Sequence, residues 1–263
     1  MNRFETILCE VQDGIATLTL NMPGSLNALS VPMLQAMEAA FAALAEDRAI
    51  RVVILKGAGR VFSAGHDLKE MQAARATPDQ GAAWFKGLFD LCARVMQMIP
   101  ALPQPVIAQV HGLAAAAGCQ LAASCDLITA AEDARFGVNG VNIGLFCSTP
   151  MVALTRKLPA AVAFEMLTTG EFLPAPRAHA LGMVNRIAPS GDLDETTLAL
   201  AATLAGKLAP AVKIGKPAFY AQAGLPLDRA YALCGEAMVQ NMLRHDTAEG
   251  IQAFLEKRKP DWS

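Results

Sequence analysis

The sequence predicts an α/β fold with a helical C-terminal part, and three observations carry that expectation. Short apolar runs of strand length, at 52–55, Val106–Val110 and 127–130, alternate with helix-period segments through the first two thirds of the chain. From about Leu193 onward nearly every segment is helical in pattern. Hydrophobic residues fill 53% of the 263 positions and charged residues only 17%. A chain of this length buries a substantial core, and so little surface charge implies that other subunits cover some apolar surface.

Taken in order, residues 6–11 and 15–20 alternate in polarity and flank Asp13-Gly14, the pattern of a hairpin with a tight turn. Residues 23–29 read as a loop. Ser30 suits an N-cap and Pro32 a first helical turn; Leu34, Met37, Phe41 and Leu44 then mark one apolar face. The strand at 52–55 runs into a loop around His66, and residues 71–79, polar and alanine-rich, are expected to be mobile. A helix over 79–98 precedes the strand Val106–Val110. Beyond 127–130 come a short extended piece from Phe136, helices over 149–158, Ala160–Thr169 and 176–181, and a strand over 184–187.

Composition excludes several classes of function. A formal net charge of −2 gives no general affinity for nucleic acid or anionic membranes. No apolar run approaches the roughly 18 residues of a membrane span. The first residues lack a signal-peptide core and an Arg-rich transit pattern, so a cytoplasmic location is expected. The six cysteines form no C-x-x-C pair and read as reduced, mostly buried thiols.

Two stretches carry the chemistry. In Gln104-Pro-Val-Ile-Ala-Gln-Val-His-Gly-Leu-Ala-Ala-Ala-Ala-Gly-Cys-Gln120 a strand turns at Gly112 into a helix whose first turn has almost no side chain. Its uncovered N–H groups can receive an anion or a developing oxyanion. The alternative is that small residues let this helix pack closely. In Arg60-Val-Phe-Ser-Ala-Gly-His-Asp-Leu-Lys-Glu70 a second strand is likewise followed by a turn, here at Gly65. Together these stretches resemble the paired oxyanion-hole segments of the crotonase, or enoyl-CoA hydratase/isomerase, family. The likeness continues through Ser124-Cys-Asp-Leu-Ile-Thr-Ala130, Phe136-Gly137 and Phe254-Leu-Glu-Lys-Arg-Lys259.

The resemblance implies a spiral of β-β-α units over residues 1–192 and a helical region over 193–263 that trimerises. It implies a homotrimer or dimer of trimers acting on an acyl-CoA substrate. No metal is implied, and no cofactor beyond the coenzyme A of the substrate. The backbone N–H groups of His66 and Ala117 become the two donors to a thioester oxygen, each such donor being worth about 10²–10³ in rate. Leu26, Ala28, Ala64, Gly65, Asp67 and Leu68 border the substrate, and Phe254 and Lys257 approach the adenine and phosphates of coenzyme A. Lysine beside a polyanion is physically sensible.

The chain departs from the hydratase pattern at the two positions where ordinary hydratases carry glutamates. Here they are Gln120 and Gly140, both counted with the substrate-binding residues. Adding water to an enoyl thioester needs a group that activates the water and one that protonates the α-carbon, each worth about 10²–10⁴. Gln120 and Gly140 supply neither, so hydratase activity is expected to be weak. Phe62-Ser-Ala-Gly-His-Asp67 and Val141-Asn-Ile-Gly144 are similar to a branch of the family that decarboxylates malonyl-type thioesters, although that branch has a tyrosine at the position of Cys147. Longer motifs, among them Gly140-Val-Asn-Ile-Gly-Leu-Phe-Cys-Ser-Thr-Pro150, are similar to a subgroup whose reaction the sequence does not specify. Three outcomes stay open: enolate chemistry of the hydratase/isomerase type, decarboxylation, and acyl-CoA binding without turnover.

The remaining candidates have blander readings. The His66 imidazole stands at the mouth of the expected site, where it acts in catalysis or merely orients its loop. His111 reads as a turn residue, and His179 and His245 as surface residues without metal-ligand spacing. Asp126 suits a hydrogen bond near its strand, and Glu70 a structural role. Cys119 and Cys147 read as buried thiols without a base nearby. Ser63 lies outside a G-x-S-x-G elbow, and Gly57-Ala-Gly59 lacks the later glycine of a dinucleotide fingerprint.

Overall fold

The structure, a computed structural model, describes residues 3–4 and 6–262. Strands β1 (Arg3–Phe4), β2 (Ile7–Gln12) and β3 (Ile15–Leu20) form an antiparallel meander. Its tight turn, at Asp13 and Gly14, has positive φ at both residues, the geometry that matches strand twist. Helix α1 (Val31–Glu46) follows, with Ser30 Oγ accepting from Met33 N–H at 3.3 Å. Its buried face is Met33, Leu34, Met37, Ala40, Phe41 and Leu44, which includes the expected stripe.

Strand β4 (Val52–Gly57) leads to α2 (Leu68–Ala74) and α3 (Ala82–Ala101), then to β5 (Val106–Val110), β6 (Leu113–Ala115) and α4 (Ala117–Ser124). Next come β7 (Leu127–Ala131), β8 (Arg135–Gly137), a 3-10 turn over Asn139–Ile143, α5 (Pro150–Leu154), α6 (Ala160–Thr169), β9 (Leu173–Pro174), α7 (Ala175–Ala180), β10 (Arg186–Ala188) and α8 (Leu193–Ala205). One sheet has the order β1-β2-β3-β4-β5-β7-β10, parallel from β3 onward; a small sheet has the order β6-β8-β9. Strand of the large sheet, strand of the small sheet, helix: that unit recurs as β5-β6-α4 and β7-β8-α5.

The segment expected to be mobile, 71–79, instead begins inside α2 and ends in a cap. Asp67 accepts from Lys69 N–H and Glu70 N–H at the start of α2. Thr77 Oγ1 donates to Asp79 at 2.7 Å and accepts from Gly81 N–H at 2.9 Å, while Asp79 also accepts from Ala83 N–H at 2.9 Å. These bonds serve the N–H groups at the start of α3 that the helix itself leaves unpaired. The helix read over 149–158 is ordered as α only at Pro150–Leu154, and the strand at 184–187 moves to Arg186–Ala188.

The central strands are apolar on both faces because both are covered. Val53 and Leu55 join the main core with Phe41 and Ile99, while Val52 and Ile54 pack with Ile107, Leu200 and Ala201. Burying each such side chain fully is worth about 1.5–3 kcal/mol. Leu200 and Ala201 belong to α8, so α8 seals the second face of the sheet. The chain accordingly divides into compact units Met1–Gly206 and Lys207–Ser263, and the expected boundary at 192/193 shifts past α8.

The second unit consists of α9 (Ala209–Gln222), α10 (Leu227–Met242) and α11 (His245–Leu255). After α11 the chain hooks back. Arg258 pairs with Glu249 at 2.6 Å and with Glu256 at 2.6 Å, and Glu249 accepts from Asp261 N–H at 2.8 Å. The Trp262 ring lies against Gly250, where an added Cβ would come within 3.0 Å of it. Among the described residues, no single helix is long and apolar enough to cross a membrane.

Candidate active site

The two chemical stretches of the sequence lie side by side. Ser63 bridges Ala114 in parallel, with Ser63 N–H donating to Leu113 O at 3.2 Å and Ala115 N–H donating to Ser63 O at 2.9 Å. Ser63 thus extends the small sheet past β6. His66 and Ala117 each lie three residues beyond this bridge, on chains that run in the same direction. Gly65 makes the approach feasible: its φ is +95°, and a Cβ there would stand 2.9 Å from Ala115 O and 3.2 Å from Ala117 N. Only a residue without a side chain lets the loops close this far.

Ala116 aims the second donor. Its φ of +48° with ψ of −118° is a conformation that L-residues with a side chain rarely adopt. It is held there by Ala116 N–H donating to Gly137 O at 2.8 Å and by Ala116 O accepting from Gln120 N–H at 3.0 Å. Strain of this kind costs about 1–3 kcal/mol and persists where the surroundings fix it. It leaves Ala117 N–H, the first of α4, without an acceptor among the described residues. Among the described residues neither this group nor His66 N–H donates to a protein acceptor.

Both donor residues line a cavity of about 350 Å³. Ala64, Leu68 and Gly140 share its wall, as expected from the sequence. Met71, Phe89, Ile143, Leu145 and Phe146 supply much of its apolar surface, and Asn139, Cys147, Ser148 and Thr149 polar groups. No lining residue carries a permanent charge. Apart from Gly140, none of the wall from Met71 to Pro150 outside the two motifs was singled out as substrate-binding in the sequence, since Met71 and Phe89 read there as helix or loop residues. Cys147, read as a buried thiol, is indeed buried, but it also faces the cavity.

The other expected site residues lie outside the cavity wall. Asp67 is committed to the cap of α2, and Glu70 Oε2 accepts from Val31 N–H at 3.0 Å, a structural role that fixes α1 to α2. Leu26 and Gly65 stitch loop to loop, Ala28 N–H donates locally to Ser25 O at 3.1 Å, and none of the three lines the cavity. Ala64 N–H donates to Leu26 O at 3.0 Å, and Leu29 N–H donates to Gly65 O at 2.7 Å. Asn27, which the sequence reading passed over, is fully buried and donates to Ala58 O and Val61 O. Gln120 is buried in α4 outside the cavity wall, its Oε1 without a donor among the described residues. Phe254 and Lys257 belong to the second unit, at and just beyond the end of α11, with Phe254 82% exposed.

The His66 imidazole is anchored. Its Nδ1 lies 3.1 Å from Leu29 O, and since a carbonyl only accepts, Nδ1 carries the proton. Nε2 is shut off from water without a donor, and the ring meets Phe89 edge-on at 5.7 Å. Burial pushes its pKa below the ordinary histidine value, with the Leu29 bond opposing this, so the ring is neutral at neutral pH. The remaining histidines and Asp126 have the roles expected of them. His111 Nε2 bonds Gly59 O at 2.9 Å, His179 and His245 are exposed, and Asp126 accepts from Val106 N–H at 2.6 Å.

Known proteins resemble this chain in sequence and in fold. Residues 10–263 match the family described as Enoyl-CoA hydratase/isomerase. Human "Enoyl-CoA hydratase domain-containing protein 3, mitochondrial" is 45% identical over 251 residues, 95% of this chain and 81% of that protein. The chain belongs to the enoyl-CoA hydratase/isomerase family. Within the family, a putative enoyl-CoA hydratase of Thermus thermophilus is 35% identical over 254 residues, 96% of this chain and 99% of that one. The solved structure of an enoyl-CoA hydratase from Mycobacterium smegmatis superposes with a TM-score of 0.94 at 49% identity, covering 98% of each chain. That of human enoyl-CoA hydratase domain-containing protein 3 gives 0.92 at 43% identity, covering 98% of this chain and 100% of that one. The fold is therefore the crotonase fold.

Proposed function

We propose that this enzyme binds an acyl-CoA thioester with its carbonyl oxygen between the N–H groups of His66 and Ala117 and stabilises an enolate there. The observation that supports it most directly is the pair of unpaired donors on loops held together by the Ser63–Ala114 bridge. Preorganised donors of this kind act most strongly in a cavity that excludes water. Hydration of the ordinary hydratase type is weak in this reading, since Gln120 and Gly140 supply no carboxylate. Decarboxylation of a malonyl-type thioester stays the second reading, since loss of CO2 itself generates the enolate and needs no carboxylate on the wall, which has none.

The reading includes a homotrimer or a dimer of trimers, supported by the apolar surface of the second unit, where Leu227, Tyr231, Leu243 and Phe254 are each at least 74% exposed. It requires no cofactor beyond the substrate's own coenzyme A, with Phe254 and Lys257 as its nucleotide contacts. It keeps the chain in a reducing cytoplasm, consistent with six free cysteines. The test is a panel of enoyl-, acyl- and malonyl-type thioesters incubated with the protein and followed by mass spectrometry. Turnover of an enoyl or acyl thioester supports enolate chemistry. Binding without any turnover favours a non-catalytic binder, and failure to bind any CoA thioester overturns the whole reading.

A further inference from the structure

We infer that the thiol of Cys147 is the proton-carrying group at the α-carbon of the bound acyl chain, standing where Gly140 leaves a side chain missing. This rests on the acyl-thioester reading above. The geometry begins at Gly140, whose backbone is not left-handed. A Cβ built there would overlap the carbonyl oxygen of Leu145 and come within 2.8 Å of Cys147 Sγ. The volume a side chain at 140 would enter is thus already taken, in part by sulfur. That sulfur is held by hydrogen bonding with the Gly140 backbone, and the loop behind it is closed by Leu145 N–H donating to Gly140 O at 2.9 Å. Cys147 is 6% exposed, and its residue lines the same cavity as His66 and Ala117.

The alternatives within reach are poorer. Gln120 does not titrate at neutral pH, and the His66 ring spends Nδ1 on Leu29 while its Nε2 is shut away. Of the elements around Cys147, α4 contributes Cys119, α5 and Asn139–Ile143 contribute no titratable side chain, and α6, packed on the last two, carries Glu165, which is exposed and paired with Arg177 at 3.1 Å. Burial holds Cys119 at about 12 and pushes Cys147 up as well, so both are neutral thiols at neutral pH. A protonated thiol beside an enolate is a proton donor. The S–H bond breaks, a Cα–H bond forms, and the electron pair returns from the thioester oxygen to the carbonyl. In reverse, the minor thiolate takes the α-proton, and the pair moves to the oxygen that the two N–H groups stabilise. No oxidant, reductant or co-reactant is needed.

The reverse step gives a readout independent of the net reaction. A saturated thioester, octanoyl-CoA, is incubated with the full-length protein in D2O, and deuterium at its α-carbon is followed by mass spectrometry. Binding is measured separately by calorimetry. Exchange should rise by about tenfold per pH unit between pH 6 and 8, as the thiolate fraction grows below the raised thiol pKa. Cys147→Ser and Cys147→Ala should bind octanoyl-CoA within a few-fold of the wild type and exchange about 10²–10⁴-fold more slowly. Bound octanoyl-CoA should also protect Cys147 from iodoacetamide in the unmutated protein, which does not depend on a variant folding. Exchange undiminished in Cys147→Ala, a pH-independent rate, no exchange in a wild type that binds the thioester, or no protection would each overturn the assignment. Failure to bind octanoyl-CoA or any other thioester would instead strike at the underlying reading.

Discussion

A Cβ at residue 140 would collide with the Leu145 carbonyl oxygen as well as with Cys147 Sγ, so the Leu145–Cys147 loop has to move to admit even a methyl group. Gly140→Ala should therefore lower stability by about 1–3 kcal/mol, visible as a lower denaturant midpoint with an unchanged slope. The same clash means that a glutamate cannot be restored at 140 by substitution alone. At His66 the constraint is electrostatic. Its folded-state pKa is depressed by burial, so the folded state resists protonation, and the neutral ring's contribution to stability is complete above the ordinary value near 6.5 and lost as pH falls below it. Melting temperature in the wild type should drop more between pH 7.5 and 5 than in His66→Asn, whose amide can still donate to Leu29 O. Equal slopes would mean that His66 titrates like an exposed residue.

At the scale of elements, the site is positioned by caps and hooks more than by long helices. Glu70 leaves α2 to satisfy Val31 N–H at the start of α1. Glu70→Ala should cost about 0.5–2 kcal/mol, the usual range for a lost cap, and chemical denaturation measures it. In the second unit the C-terminal hook depends on one ionised carboxylate. Arg258 first, then Asp261 N–H, hold Glu249 at about 2, below its ordinary 4.5. A depressed carboxylate stabilises above its unfolded pKa, and that contribution fades as pH falls from about 4.5 toward 2. With Trp84 replaced by Phe, Trp262 is the remaining indole of the chain. Its emission should shift to the red across that window as the hook leaves Gly250, and high salt should move the transition to higher pH.

The whole molecule has two compact units with different surfaces. The first closes its sheet on both faces with its own helices, whereas the second exposes Leu227, Tyr231, Met238, Leu243 and Phe254. At about 25 cal/mol per Å² such surface is costly to leave in water, which is the physical basis for expecting a trimer or dimer of trimers. Sedimentation velocity at micromolar concentration should show no stable monomer, and truncation from Leu225 should abolish assembly. A full-length monomer would contradict the proposed assembly while leaving the fold untouched.

Periodicity and turn chemistry made most of the fold legible: the Asp13-Gly14 hairpin, the α1 stripe capped by Ser30, and the strands at 52–55, Val106–Val110 and 127–130 are local features written in local residues. The family motifs likewise pointed to His66 and Ala117, because a glycine that admits a close approach and a helix start without side chains are sequence signals. The place of α8 was not legible, since a helical pattern says nothing of which face of which sheet it covers. Nor was the order in 71–79, where Asp67, Thr77 and Asp79 act as caps only once α2 and α3 have their directions. Ala116 looks like its three alanine neighbours in sequence, and its positive φ is held by a bond to Gly137, from a distant part of the chain, together with the first turn of α4. Of the cavity wall from Asn139 to Pro150 only Gly140 was marked by the sequence, and the place of the Cys147 sulfur in the space beside it was decided by tertiary structure. Packing there depends on distances between residues that no local pattern encodes.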